Sequence, residues 1–333
     1  MKTISKTFFA LGTVNTIQIF YHEEEEDLAI WAAEEIRRRT LAMDDRLSVF
    51  KEESEISRIN ARAGRGLTEV SSDTAHILKE AVELSAASDN TFDITTEALT
   101  QLWHKGTVPK SDEIEKARSM IGAEDIIVKD ISTPDGITHK AGLRRRGQSI
   151  GLGSIAKGYA ADQAKKILQC CGIYSATINF GGTIITPDHD MRIGIQWPWR
   201  KTGEYIGSIL VRNAAIVTSG SYENRFVENG KSYHHIIDPA TGYPSESGLL
   251  SVTLVGGSAT ELDAFTTAVF ILGLEKGAAL MHERGLEGVF ITNEGEVLMS
   301  RGIKDSYKPN ETVQKYITDN FSYNTKSDRD ALR

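Results

Sequence analysis

The sequence predicts an α+β fold, with mixed but largely antiparallel sheets packed against helices. Two observations carry that expectation. Hairpin signals stand at Asn229-Gly230 and at Asn293-Glu294-Gly295, and helical periodicities are scattered among the strands without settling into a strict strand–helix–strand alternation. Composition supplies the core: 333 residues, 40% hydrophobic and 25% charged, suffice for one large domain or two modest ones and exclude intrinsic disorder.

From the N-terminus, residues 8–21 alternate apolar and polar positions and read as a first strand. The acidic run at 23–27 suits the positive end of a helix, whose buried face would be Leu28, Trp31, Ala32 and Ile36. Ser71 or Ser72 caps a second helix carrying Ile77, Leu78, Ala81, Val82 and Leu84 at helical spacing. A third helix covers 94–103, and Ser111 caps another that Gly122 closes. The second half is richer in strands, at 175–180, 192–197, 207–211 and 249–255, with hairpins over 226–237 and 289–299. Helices fall between them at 155–168, 259–272 and 275–283. Residues 303–333 are polar and charged, so a loosely packed tail is expected after a unit spanning 1–302.

Charge and cysteine usage exclude some functions. With 38 basic and 46 acidic residues the net charge is −8, which supplies no global field for nucleic acid or an anionic membrane. The two cysteines, Cys170 and Cys171, are adjacent and form neither a disulfide scaffold nor a CxxC clip. The opening residues show no signal-peptide apolar run and no lipid-attachment cysteine, so a cytoplasmic location is expected, with export after removal of a leader as the alternative. No segment has the roughly 18 uninterrupted apolar residues of a membrane span.

Several segments could carry chemistry. Gly151-Leu-Gly153-Ser-Ile-Ala156 opens a helix and matches a dinucleotide-binding pattern, but no acidic residue follows between Gln163 and Pro187 to hold a ribose. A plain tight turn and a differently built phosphate or metal loop remain the alternatives. A Gly-rich loop at a helix start suits a diphosphate in either fold, because free N–H groups and the dipole favour anions. Asp263 and Thr267 lie one turn apart in an otherwise apolar helix. Asp263 is either a backbone or lysine partner, or half of a hard-cation site with Thr267. His234 and His235 point to opposite faces of a strand, so they chelate one metal poorly, and one of them serves either as a structural histidine or as a general base. The stretch 215–223 is a strand entering a hydroxyl-rich turn, and Arg144-Arg145-Arg146 reads as a solvated edge.

Taken in order, these segments resemble the ApbE family, the FAD:protein FMN transferases. The matching stretches are LGT at 11–13, SEISRINA at 54–61, TFDITTEALTQLW at 91–103, GLGSIAKGYAAD at 151–162, INFGG at 178–182, VTSGSYENRF at 217–226, YHHIIDPATGYP at 233–244 and SATELDAFTTAVFILG at 258–273. The resemblance spans about residues 8–300 and implies a single catalytic unit. It implies Mg²⁺ held by Asp263, Thr267 and the main-chain carbonyl of Ser154. It implies flavin-nucleotide contacts at Leu11, Thr91, Phe92, Asp93, Lys157 and Ile237, and His235 as the base that activates the acceptor. FAD would be the substrate, and the partner a redox protein subunit offering a Thr or Ser hydroxyl.

The chain departs from the family pattern at four positions. Gly151 stands where the family usually has an acidic residue, which would leave a charge near the metal missing. Thr183 and Ser221 replace acidic or amide residues, and Leu11 replaces a frequent Met. The expected reaction is Mg²⁺-dependent transfer of FMN from FAD to the hydroxyl with release of AMP. The alternatives are an FAD pyrophosphatase, in which water takes the place of the hydroxyl, and a flavin-binding protein without catalysis.

Overall fold

The structure, a computed structural model, describes residues 1–200, 203–222 and 224–311. Its centre is an eight-stranded sheet with antiparallel pairing throughout. The order is β1 (Lys2–Ala10), β2 (Thr13–Tyr21), β6 (Ala176–Phe180), β7 (Thr183–Thr186), β10 (Ala214–Gly220), β13 (Leu249–Gly256), β14 (Glu287–Thr292) and β15 (Val297–Met299). One three-stranded sheet runs β16 (Tyr307–Pro309), β9 (Tyr205–Val211), β8 (Met191–Gln196); another runs β3 (Thr68–Val70), β5 (Gly136–Leu143), β4 (Ile126–Thr133). The hairpin β11 (Arg225–Glu228) to β12 (Lys231–His234) stands apart. The α+β class holds.

The helices are α1 (Glu26–Leu47), α2 (Glu55–Ala61), α3 (Ser72–Ala87), α4 (Glu97–Trp103), α5 (Ser111–Arg118), α6 (Ala156–Cys170), α7 (Ala259–Glu283) and α8 (Arg301–Lys304). Of these, α1, α6 and α7 cover one face of the large sheet, and β8, β9 and β16 cover the other. Strand alternation produces this three-layer arrangement. On β10, Ala215 and Val217 enter the helix-side core while Ile216 enters the second core; on β14, Phe290 faces the helices, and Val289 and Ile291 face away. By length and composition α7 could cross a bilayer, but here it is the central core helix, packed on α6, β10 and β13. Gly273, with φ 77°, breaks it into the two helical segments expected at 259–272 and 275–283.

Four expectations need correction. The single strand over 8–21 is two strands, β1 and β2, reversed by Leu11 (φ 54°) and Gly12 (φ 72°), and a leucine in the left-handed region gives little warning of a turn. The buried stripe of α1 is Ala29, Ala32, Ala33, Ile36, Thr40, Met43 and Leu47, while Leu28 and Trp31 are 42% and 54% exposed. Small residues along that stripe let the helix lie close to the sheet, and they outweigh the bulkier first-turn side chains. Arg145 is not a solvated edge residue: its guanidinium donates to the carbonyls of Ser119 (2.8 Å), Met120 (3.2 Å) and Ile121 (2.9 Å) beyond α5. The boundary at 302 falls within packed structure, since Ile303 is buried and β16 pairs with β9; the expected tail over 312–333 lies outside the described residues. Helix α2 and the β3–β5–β4 sheet were not anticipated.

The junction of α6 and α7 positions the site. Gly158 lets the helices touch: a Cβ there would lie 2.6 Å from the Ala259 carbonyl carbon. One turn on, the Asp162 carboxylate accepts from Ala259 N (3.0 Å), Thr260 N (2.9 Å) and the hydroxyls of Ser258 (3.0 Å) and Thr260 (2.7 Å), so it caps α7 from a neighbouring helix. Gly158→Ala is expected to cost about 2 kcal/mol in spite of alanine's better helix propensity, because the methyl meets main chain. Urea unfolding checks this as a lower midpoint at unchanged slope.

Candidate active site

A cleft of about 910 Å³ opens beside the starts of α6 and α7, and all ten residues expected at the site line it: Leu11, Thr91, Phe92, Asp93, Ser154, Lys157, His235, Ile237, Asp263 and Thr267. They come from segments that span more than 250 residues of sequence, and the packing described above draws them together.

At one edge, the β1–β2 turn is pinned by Asp44 of α1, whose Oδ1 accepts from Leu11 N at 2.8 Å. Beside it, Thr91 to Asp93 lead into α4. Asp93 is buried, and its carboxylate is committed to the fold: Oδ1 accepts from Thr95 N (2.7 Å) and Thr95 Oγ1 (2.6 Å), and Oδ2 from Ala123 N (3.1 Å). Burial pushes this carboxyl up from its ordinary range, against the pull of the Thr95 and Ala123 hydrogen bonds.

The glycine-rich loop is stitched to its neighbours. Asn60 of α2 makes a reciprocal pair with Ile150, donating to its carbonyl at 2.9 Å and accepting from its N–H at 2.8 Å. Gly151 N donates to Ile94 O at 2.9 Å. These bonds explain why the SEISRINA segment belongs to the site without lining it.

Asp263 is 3% exposed. Its Oδ2 accepts from Gly158 N at 2.9 Å, and its Oδ1 lies 3.3 Å from Lys157 Nζ, which also donates to Gly153 O at 2.9 Å. One positive charge thus sits between a buried carboxylate and a main-chain carbonyl, with Ser154 next along the loop. Thr267 Oγ1 faces Asp263 O at 3.4 Å on the same helical surface. Carboxylate, hydroxyl and carbonyl oxygens suit a hard cation. Among the described residues no three His, Cys, Asp or Glu converge as a ready-made metal cluster. A cation here would therefore complete its shell from water and ligand oxygens, the habit of Mg²⁺ and not of structural zinc.

Both adjacent histidines reach the cleft, but they differ. His234 Nε2 lies 3.0 Å from Ser245 O, so it carries the proton, and its Nδ1 accepts from Ile236 N at 3.3 Å. Burial lowers the His234 pKa, only partly opposed by the Ser245 carbonyl, and a neutral ring with both nitrogens on main chain is structural. His235 follows on the cleft wall. The segment is braced by Trp103, which stacks on Tyr233 with ring centroids 5.5 Å apart and donates from Nε1 to Gly242 O at 3.0 Å.

Sequence reasoning missed the Asp44 pin, the Asp162 cap and a buried cleft-lining acid, Glu97. The variant positions Thr183 and Ser221 are absent from the cleft lining among the described residues.

An α+β frame whose cleft collects a buried carboxylate, a lysine and a helix start suits a group-transfer enzyme, and curated relatives of the chain are transferases. The chain belongs to the ApbE family, whose sequence model matches residues 11–290. It is similar to the FAD:protein FMN transferase of Klebsiella pneumoniae (strain 342), 31% identical over 304 residues, covering 90% of this chain and 92% of that one. The corresponding enzyme of Treponema pallidum (strain Nichols) is 29% identical over 324 residues, covering 92% and 89%. Among solved structures, the ApbE protein of Thermotoga maritima MSB8 is similar with a TM-score of 0.82 and 28% identity, over 92% of this chain and 100% of that one. Pseudomonas stutzeri flavinyl transferase ApbE, apo form, shares the fold at TM-score 0.76 and 24% identity, over 92% and 96%.

Proposed function

We propose that this enzyme transfers the FMN moiety of FAD to a Thr or Ser hydroxyl of a redox protein, with Mg²⁺ as cofactor. The observation that carries the reading is the convergence of all ten expected residues on one cleft, in a chain whose relatives are named FAD:protein FMN transferases. Asp263, Thr267 and the Ser154 carbonyl would hold the cation, which when bound neutralises and polarises the diphosphate.

The chain's own residues supply the rest. The α6 start and Lys157 offer N–H groups and a positive charge to the diphosphate. Phe92 and Ile237, both buried, offer apolar wall, and Leu11 adds to it at the β1–β2 turn. His235 takes the acceptor's proton as the hydroxyl oxygen bonds to the flavin-side phosphorus and the phosphorus–oxygen bond to AMP breaks.

The test is mass spectrometry of a candidate acceptor incubated with FAD and Mg²⁺. The expected result is a covalent FMN adduct with one AMP released per transfer. FMN and AMP free in solution would indicate a pyrophosphatase, and unchanged FAD a binding protein. His235→Ala is expected to slow adduct formation by ~10²–10⁴-fold, the usual contribution of a general base. An unaltered rate removes His235 from that role.

A further inference from the structure

Glu97, in the first turn of α4, is 8% exposed and lines the cleft. Gln101 Nε2 donates to its Oε1 at 3.0 Å, and no other hydrogen bond or ion pair reaches this carboxyl among the described residues. It occupies space that position 151 leaves open: a Cβ built on Gly151 would lie 2.7 Å from the Glu97 carboxyl carbon and would overlap Oε2. Gly151 opens the loop that continues through Gly153 and Ser154 to Lys157, so the acid stands at the head of the segment that gathers cation-binding oxygens. The space left by the absence of a side chain at 151 is therefore filled by a carboxyl from another element.

Charge shows what Glu97 awaits. The single charge of Asp263 is already met by Lys157. A buried acid with no basic partner is costly, and burial pushes Glu97 up to about 7. A dication arriving in the cleft would supply the missing counter-charge, and Mg²⁺ is commonly held by one or two carboxylates together with substrate phosphates.

We propose that Glu97 is the second carboxylate of the cation site, contributed by α4 across the side-chain-free position 151, and that it sets the affinity for a divalent cation. This rests on the cation reading above. Glu97 acts as a positioning residue, and it makes no bond to the transferred group.

The experiment is calorimetric titration of MgCl₂ into the full-length protein, with melting curves to confirm folding. Glu97→Gln is expected to raise the Mg²⁺ dissociation constant by ~10–100-fold, as loss of a supporting carboxylate does. The exchanged pair Glu97→Gly with Gly151→Asp, which returns a carboxylate to the same space from the loop side, is expected to restore most of that loss. Wild-type affinity in Glu97→Gln, with affinity lost in Asp263→Asn, overturns the role of Glu97 and leaves the cation site standing. Affinity unchanged in Asp263→Asn, or no saturable Mg²⁺ binding by the wild type, overturns the cation site and Glu97 with it.

Discussion

Flavin transfer by Asp263→Ala is expected to fall by ~10³-fold or more, since a catalytic cation contributes several kcal/mol and each 1.36 kcal/mol is a factor of ten. The loss should persist at high Mg²⁺ concentration. Stability must be measured alongside, because Asp263 also pairs with Lys157 and accepts from Gly158 N at 2.9 Å. Removing it strands a half-buried ammonium and an orphaned N–H at the α6–α7 crossing, a cost of about 3 kcal/mol. Asp263→Asn separates the two effects, since its amide oxygen can still accept from Gly158 while the charge is gone. If Asp263→Asn melts near the wild type and transfers FMN at the wild-type rate in low Mg²⁺, the metal assignment fails.

The second large effect is a gain in stability. Burial raises the Glu97 carboxyl from 4.5 to about 7 in the folded chain. Below pH 4.5 the acid is protonated in both states and contributes nothing. Between 4.5 and 7 the unfolded chain ionises first, so stability drains away as pH rises, reaching a deficit of about 3 kcal/mol above pH 7. Glu97→Gln removes that deficit. In chelator, the variant should be about 3 kcal/mol more stable than the wild type at pH 8 and equal to it near pH 4. Urea unfolding at the two pH values reads this directly. An equal difference at both would show that packing, and not ionisation, separates the two side chains.

The sequence made the α+β class legible because hairpin turns and capped helices are local devices: Asn229-Gly230 joins β11 to β12, and Ser71 caps α3 by accepting from Thr74 N. It missed the β3–β5–β4 sheet because the adjacent strands β4 and β5 are largely unburied and carry little alternation, and β3, three residues long, pairs with β5 across a gap of more than 50 residues. The facing of α1 escaped because Leu28 and Trp31 carry a stronger local hydrophobic signal than the alanines that the sheet covers.

The cleft divides the same way. Residue types singled out Asp263, Thr267 and the paired histidines, the family resemblance added Ser154 and Lys157 and chose His235, and all of these residues line the cleft. Nothing in the order of residues assigned both ring nitrogens of His234 to main chain, placed Lys157 against Asp263, or laid Glu97 over Gly151. By itself the sequence determined the family, the fold class and which segments line the cleft. Only the tertiary structure decided which charges meet and which buried acid is left without a basic partner, because electrostatic pairing and desolvation depend on through-space distance and burial, which packing sets between segments remote in the chain.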